Sequence, residues 1–152
     1  MSDRKKQRLE LLHRLREMHV EQARADHVAA QAELERKNET AEDTQRRLQT
    51  LDHWAAERMS GGAPLIPEVL LQAQLYRGVE KQALEQQRVD CAEAQERTEG
   101  ARAELTARFE ELSVVGRLAT RHAQTVTHDQ TRLGYLALDE AGTQRMNLEA
   151  KE

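Results

Sequence analysis

An all-α fold, two long helices folded back as an antiparallel coiled-coil hairpin, is the architecture this sequence predicts. Three observations lead there. Both prolines of the 152-residue chain, and two of its seven glycines, fall in the octapeptide Ser60-Gly61-Gly62-Ala63-Pro64-Leu65-Ile66-Pro67. No proline or glycine precedes it, and no proline follows. Proline costs a helix interior about 3 kcal/mol and glycine about 1, so this is the one place where helix must stop. Finally, charged residues make up 33% and aromatics 3%. That mixture suits a narrow seam between helices and is too poor in large side chains for a globular core.

Helix one is expected from about residue 3 to 59, capped by Ser2 or Asp3. Its apolar residues fall in two stripes. Leu11, Leu15, Met18, Ala25 and Ala29 form the first. Ala30, Leu34, Ala41, Leu48, Leu51 and Ala55 form the second, shifted by one position and interrupted by Lys37 and Thr44. The change of phase near residue 29 reads as an irregular heptad with a weak middle.

The turn is expected over 60–66. Helix two then starts at Pro67, a residue favoured at the first helical position, and runs to about Glu140, leaving residues 141–152 as a frayed tail of one elongated hairpin spanning 1–152. In its second half Leu105, Leu112, Ala119, Val126 and Leu133 recur every seven residues. Phe109, Gly116, Ala123, Gln130 and Ala137 alternate with them as the other seam positions. In its first half Val69, Leu70, Leu71, Leu75, Tyr76, Val79, Ala83 and Leu84 cover more than one face, so some must be exposed or meet a partner. Gly78, Gly100 and Gly116 mark either bends or crowded crossings.

A turn at 60–66 sets a register in which residue 60−n faces about 67+n. Helix one then ends opposite about residue 125. Leu133, Tyr135, Leu136 and Leu138 are left without an intramolecular partner, and an unpartnered apolar helix end is an expected docking segment.

Several function classes lose support. Net charge is −4 with both signs interleaved, and Arg4-Lys5-Lys6-Arg8 is the densest basic patch. There is no basic face or aromatic stacking set for nucleic acid. No apolar run is long enough to insert in a membrane, and the N-terminus lacks a signal-peptide pattern. Cys91 is the single cysteine, which excludes an internal disulfide, suits a reducing compartment and reads as a seam residue. The six histidines are scattered, and no nucleotide loop or nucleophile elbow occurs. The expectation is a cytoplasmic protein that is not an enzyme and needs no cofactor or metal.

The segment from Met59-Ser60-Gly61-Gly62-Ala63-Pro64-Leu65-Ile66-Pro67 into Leu75-Tyr76-Arg77-Gly78-Val79-Glu80-Lys81-Gln82-Ala83-Leu84-Glu85-Gln86-Gln87-Arg88 follows sixty residues of charged helix. Together with Asp129-Gln130-Thr131-Arg132-Leu133, Leu136 and Asp139-Glu140, it resembles the FliJ/YscO family, stalk proteins of the flagellar and virulence type III export apparatus. The resemblance implies a non-enzymatic central stalk, a monomer when free. Its paired termini would enter the hexameric export ATPase, with Leu133 and Leu136 in the docking segment. Its turn end would meet the membrane export gate, coupling hydrolysis to export and helping to recycle export chaperones. Aligned on Glu80-Lys81, the family's gate contacts fall on Leu75, Val79, Gln82 and Gln86, with Leu51 and Trp54 as their counterparts on helix one. The reading leans slightly to the injectisome over the flagellum. The alternative, from composition alone, is a coiled-coil scaffold or dimerisation protein unrelated to export.

Overall fold

A computed structural model describes residues 2–62, 64 and 66–151, with Ser2 by its backbone alone. It consists of two helices, α1 (Ser2–Ser60) and α2 (Pro67–Glu149), packed as a helical hairpin. The expected cap at Ser2 and the turn residues Ala63 and Leu65 lie outside the described side chains. Asp3 sits in the first turn of α1, where a carboxylate complements the helix dipole.

The turn works as its residues dictate. The Gly61 amide continues the α1 ladder by donating to the Glu57 carbonyl at 3.0 Å. Gly62 then takes φ +65°, the left-handed conformation that ends helices and costs other residues about 1 kcal/mol. A Cβ on Gly61 would lie 2.9 Å from the Glu57 carbonyl oxygen. The Ile66 carbonyl accepts from the amides of Val69 at 3.1 Å and Leu70 at 3.2 Å, which starts α2 with Pro67 in its first position. Gly62→Ala is expected to lower stability by about 1 kcal/mol, read by thermal unfolding.

The chain divides into two compact units, Met1–Glu21 with Thr106–Glu152, and Gln22–Leu105. In the unit Gln22–Leu105, the α1 positions shielded from solvent include Ala23, His27, Ala30, Leu34, Lys37, Ala41, Thr44, Leu48, Leu51 and Ala55. They alternate in steps of four and three without a break. The second expected stripe is therefore the seam, and Lys37 and Thr44 belong to it. Thr44 is fully buried, at 0% exposure. Its hydroxyl donates to the Thr40 carbonyl at 3.1 Å and accepts from Arg47 Nη2 at 3.0 Å, so no polar group is left unpaired. Lys37 runs along the seam and brings Nζ within 3.7 Å of Glu33 Oε1, keeping its charge near water.

The first expected stripe is not in the seam. Leu11, Leu15 and Met18 are 64%, 45% and 67% exposed, and Ala25 and Ala29 are exposed as well. A heptad cannot change phase inside an unbroken helix without a local unwinding. Extended backward, the phase of Ala30–Ala55 brings Val20, Arg16 and His13 inward instead.

On α2 the shielded residues of the unit Gln22–Leu105 include Leu70, Leu84, Cys91, Thr98 and Leu105, with Ala73, Glu80, Gln87, Ala94 and Ala101 between them. Cys91 is a half-shielded free thiol, as expected of a seam cysteine. In the other unit Leu112, Ala119 and Val126 are shielded at the expected seven-residue spacing, and their alternates are Arg108, Val115 and His122. The alternate set expected from the sequence is thus displaced by one residue. Phe109 is 42% exposed, Gly116 is half-shielded, and Ala123, Gln130 and Ala137 are exposed. Val115, 4% exposed, is the buried residue at the displaced position, and an ion pair forms beside it. Arg16 Nη1 donates to Glu111 Oε2 at 2.8 Å, and Arg108 Nη1 to the same oxygen at 3.2 Å.

The antiparallel register is read from pairs between the helices. Within the unit Gln22–Leu105, Arg47 Nε meets Glu80 Oε2 at 3.2 Å and Arg77 Nε meets Asp52 Oδ1 at 2.7 Å. There too the Thr98 hydroxyl donates to the Ala30 carbonyl at 3.2 Å. Arg16 and Glu111 hold the register in the other unit. The expected rule pairs 47 with 80 and 16 with 111, and it comes within two residues at the remaining pairs.

Two further corrections concern α2. It continues past Glu140 to Glu149, so most of the expected frayed tail is helical. Gly78, Gly100 and Gly116 have nothing within 4 Å of where a Cβ would stand, so crowding does not explain them. Gly100→Ala is expected to stabilise the chain by about 1 kcal/mol through helix propensity, seen as a higher midpoint of thermal unfolding.

Candidate functional site: exposed apolar faces of α2

Helix α1 begins at Ser2, and the register places that end opposite about residue 125. The last shielded residue of α2 is Val126, and every described residue from Thr127 on is exposed. The seam face itself does not stop there. Leu112, Ala119, Val126 and Leu133 are seven residues apart on one helix, so Leu133 continues the covered face into the uncovered segment. Leu133 is 65% exposed and Leu136 50%, with Tyr135, Leu138, Met146 and Leu148 exposed beside them. The helix persists because Leu, Ala, Gln, Arg and Glu are good helix formers. What its side chains lack is a second helix.

Helix α2 carries another exposed stripe just after the turn. Leu75, Val79, Gln82 and Gln86 follow in steps of four, three and four, and all are exposed. Leu75 and Val79 are each 64% exposed. Gln86 Nε2 donates to Asp90 Oδ1 at 3.1 Å. Leu71 and Val89, at 58% and 51% exposure, extend this stripe by one step at each end. Leu71 is among the surplus apolar residues read from the sequence, whereas Val89 was passed over although its spacing carries the same signal. Beside the stripe, the Arg77–Asp52 and Arg47–Glu80 ion pairs bind α2 to α1, so the stripe sits on a fixed helix.

Leu51 and Trp54 are placed differently. Leu51 is a seam residue of α1, half-shielded. Trp54 lines a small apolar pocket with Ile66, Val69 and Leu70, and the Arg58 guanidinium lies 5.6 Å from its ring centroid. The structure thus brings Leu75, Val79, Gln82 and Gln86 together on one open face and packs Trp54 against the start of α2.

Reaction chemistry has little to work with among the described residues. No three His, Cys, Asp or Glu side chains come together to hold a metal. The Glu33 carboxyl is held below its usual range, chiefly by the hydrogen bond from Arg36 at 2.6 Å. That is a local ion pair on a solvated face, which acid would break as Glu33 protonates. No helix is long and apolar enough to cross a membrane. What α2 offers is contact surface, apolar and helical.

The family model for the flagellar FliJ protein matches residues 5–151. The chain belongs to the FliJ family. No curated protein and no solved structure gives a match. FliJ membership implies a stalk role in the flagellar or type III export apparatus.

Proposed function

We propose that this chain is a non-enzymatic central stalk of a type III export apparatus, cytoplasmic and peripheral to the membrane-embedded machinery. The uncovered end of α2, with Leu133 and Leu136, docks in the hexameric export ATPase together with the paired termini. The stripe of Leu75, Val79, Gln82 and Gln86, with Leu51 and Trp54 near the turn, meets the membrane export gate. Contact with both couples ATPase activity to export and assists the recycling of export chaperones. The observation that carries this reading is the seam face running on past Val126 without a covering helix. Burial of Leu or Val side chains returns about 1.5–3 kcal/mol each, and a helix end that forgoes this inside its own fold recovers it on a partner.

The gate contact is tested by Leu75→Ser with Val79→Ser. Neither side chain is buried, so helix content by circular dichroism should match wild type while capture of the export gate component is lost. Lost helicity would make the stripe structural. Sedimentation should give the mass of a monomer. A doubled mass, with no affinity for an export ATPase, would favour the dimeric scaffold instead.

A further inference from the structure

We propose that Leu75, Gly78, Val79 and Gln82 frame one enlarged hole on the open face of α2, and that it seats a single large apolar side chain from a helix of the export gate. The hole lies within the proposed gate contact and rests on that reading, adding the place where the two surfaces interlock. The four residues stand at i, i+3, i+4 and i+7 of one helix. That is the set into which a side chain of a facing helix inserts when helices pack knobs into holes. All four are exposed, Leu75 and Val79 each at 64%. No atom stands within 4 Å of where a Cβ on Gly78 would lie.

Gly78 sets the size of the hole. Among the described residues only Gly62 has a positive φ, so the backbone at residue 78 does not require glycine. Glycine is a poor helix former, and the packing of its own chain gains nothing from it here. What it supplies is depth: Leu75 and Val79 give apolar walls, the stem of Gln82 closes another side, and the fourth side has no side chain. The fitting knob is therefore larger than leucine, of the size of an aromatic ring. The hole is also held in place. Arg77 and Glu80, on either side of Gly78 in the chain, pair with Asp52 and Arg47 of α1 at 2.7 and 3.2 Å, which fixes the face that α2 presents. Gly100 is the contrast. Its surroundings are equally open, but the same frame there is Arg97, Gly100, Ala101 and Glu104, and two charged walls give an apolar knob little to bury against.

The test uses the full chain and the purified export gate component, with affinity read by surface plasmon resonance and folding by circular dichroism. Gly78→Ala should weaken capture about tenfold and Gly78→Leu about a hundredfold, as overfilled packing does. Both variants should unfold at a higher temperature than wild type, because alanine and leucine are better helix formers than glycine. Gly100→Ala should raise the midpoint as well and leave capture unchanged. Binding lost from a more stable chain marks a contact and not a structural role. Gly78→Leu also adds apolar surface, so capture unchanged or strengthened by it would show binding through apolar area alone and overturn the proposal. The gate reading would then still stand if Leu75→Ser with Val79→Ser lost capture. Capture kept by that double variant too would overturn both. A midpoint lowered by Gly78→Ala would make the glycine structural and sink the proposal. A doubled sedimentation mass that returns to a monomer in Gly78→Leu would assign the hole to a second copy of the chain, with the same result.

Discussion

Replacing Leu133 and Leu136 together by Asp should abolish capture of a hexameric export ATPase while leaving the hairpin as stable as before. The two side chains are 65% and 50% exposed, on a part of α2 where every described residue is exposed. Surface substitutions of this kind change stability by about 0.5 kcal/mol or less. In a docked complex the same two positions would be buried, and charge placed there would go unpaired. Anchoring residues in interfaces lose about 2 kcal/mol or more on truncation, so the pair together should weaken binding by about a hundredfold or more. Thermal unfolding followed by circular dichroism, with co-sedimentation of the ATPase, reads both halves of the result. Wild-type capture by the double variant would remove the end of α2 from the docking surface.

The second large effect is on the fold and contrasts two leucines of the same helix, α2. Leu84 is 7% exposed and Leu75 is 64% exposed. Leu84→Ala should cost about 2–4 kcal/mol, whereas Leu75→Ala should stay near 0.5 kcal/mol. The first is a large share of the roughly 5–15 kcal/mol that holds a typical protein together. It is also concentrated, because the buried apolar side chains among the described residues are only Val20, Ala23, Leu84, Ala94 and Val115. A seam this thin has few neighbours to close over a cavity. Melting curves of the two variants decide the matter, and equal losses would mean that Leu75 is packed.

The two substitutions also separate what the pattern of residues could say from what it could not. Leu75 and Val79 were readable as surplus, because their neighbours already cover more than one face of α2. The uncovered end was readable from the register alone, since a turn at Gly61–Gly62 and two helices of unequal length leave one side longer. The stripe of Leu11, Leu15 and Met18 misled for a definite reason. Its spacing satisfies a heptad as well as the true seam does, where Leu9, Leu12, His13, Arg16, His19 and Val20 are the shielded residues. The stripe of Phe109 misled in the same way by one residue. Trp54 was legible as a residue beside the turn, able to pack across onto Leu70 or Leu71, and the folded chain sets it with Leu70 around one small pocket.

Breakers and helix formers act through the backbone within one turn of helix, so the sequence by itself determined two helices, the place of the turn, the start at Pro67 and the antiparallel register. Which face of each helix lies inward is a property of two surfaces meeting. Arg16 and Glu111 are 95 residues apart in the chain, and they pair beside a seam that buries Val20 and Val115 and leaves Leu11, Leu15 and Met18 outside. Thr44 is acceptable at full burial because its hydroxyl finds the Thr40 carbonyl and the Arg47 guanidinium. Only the tertiary structure could decide these faces, because hydrophobicity ranks residues one at a time while a seam depends on how two helix surfaces pack together.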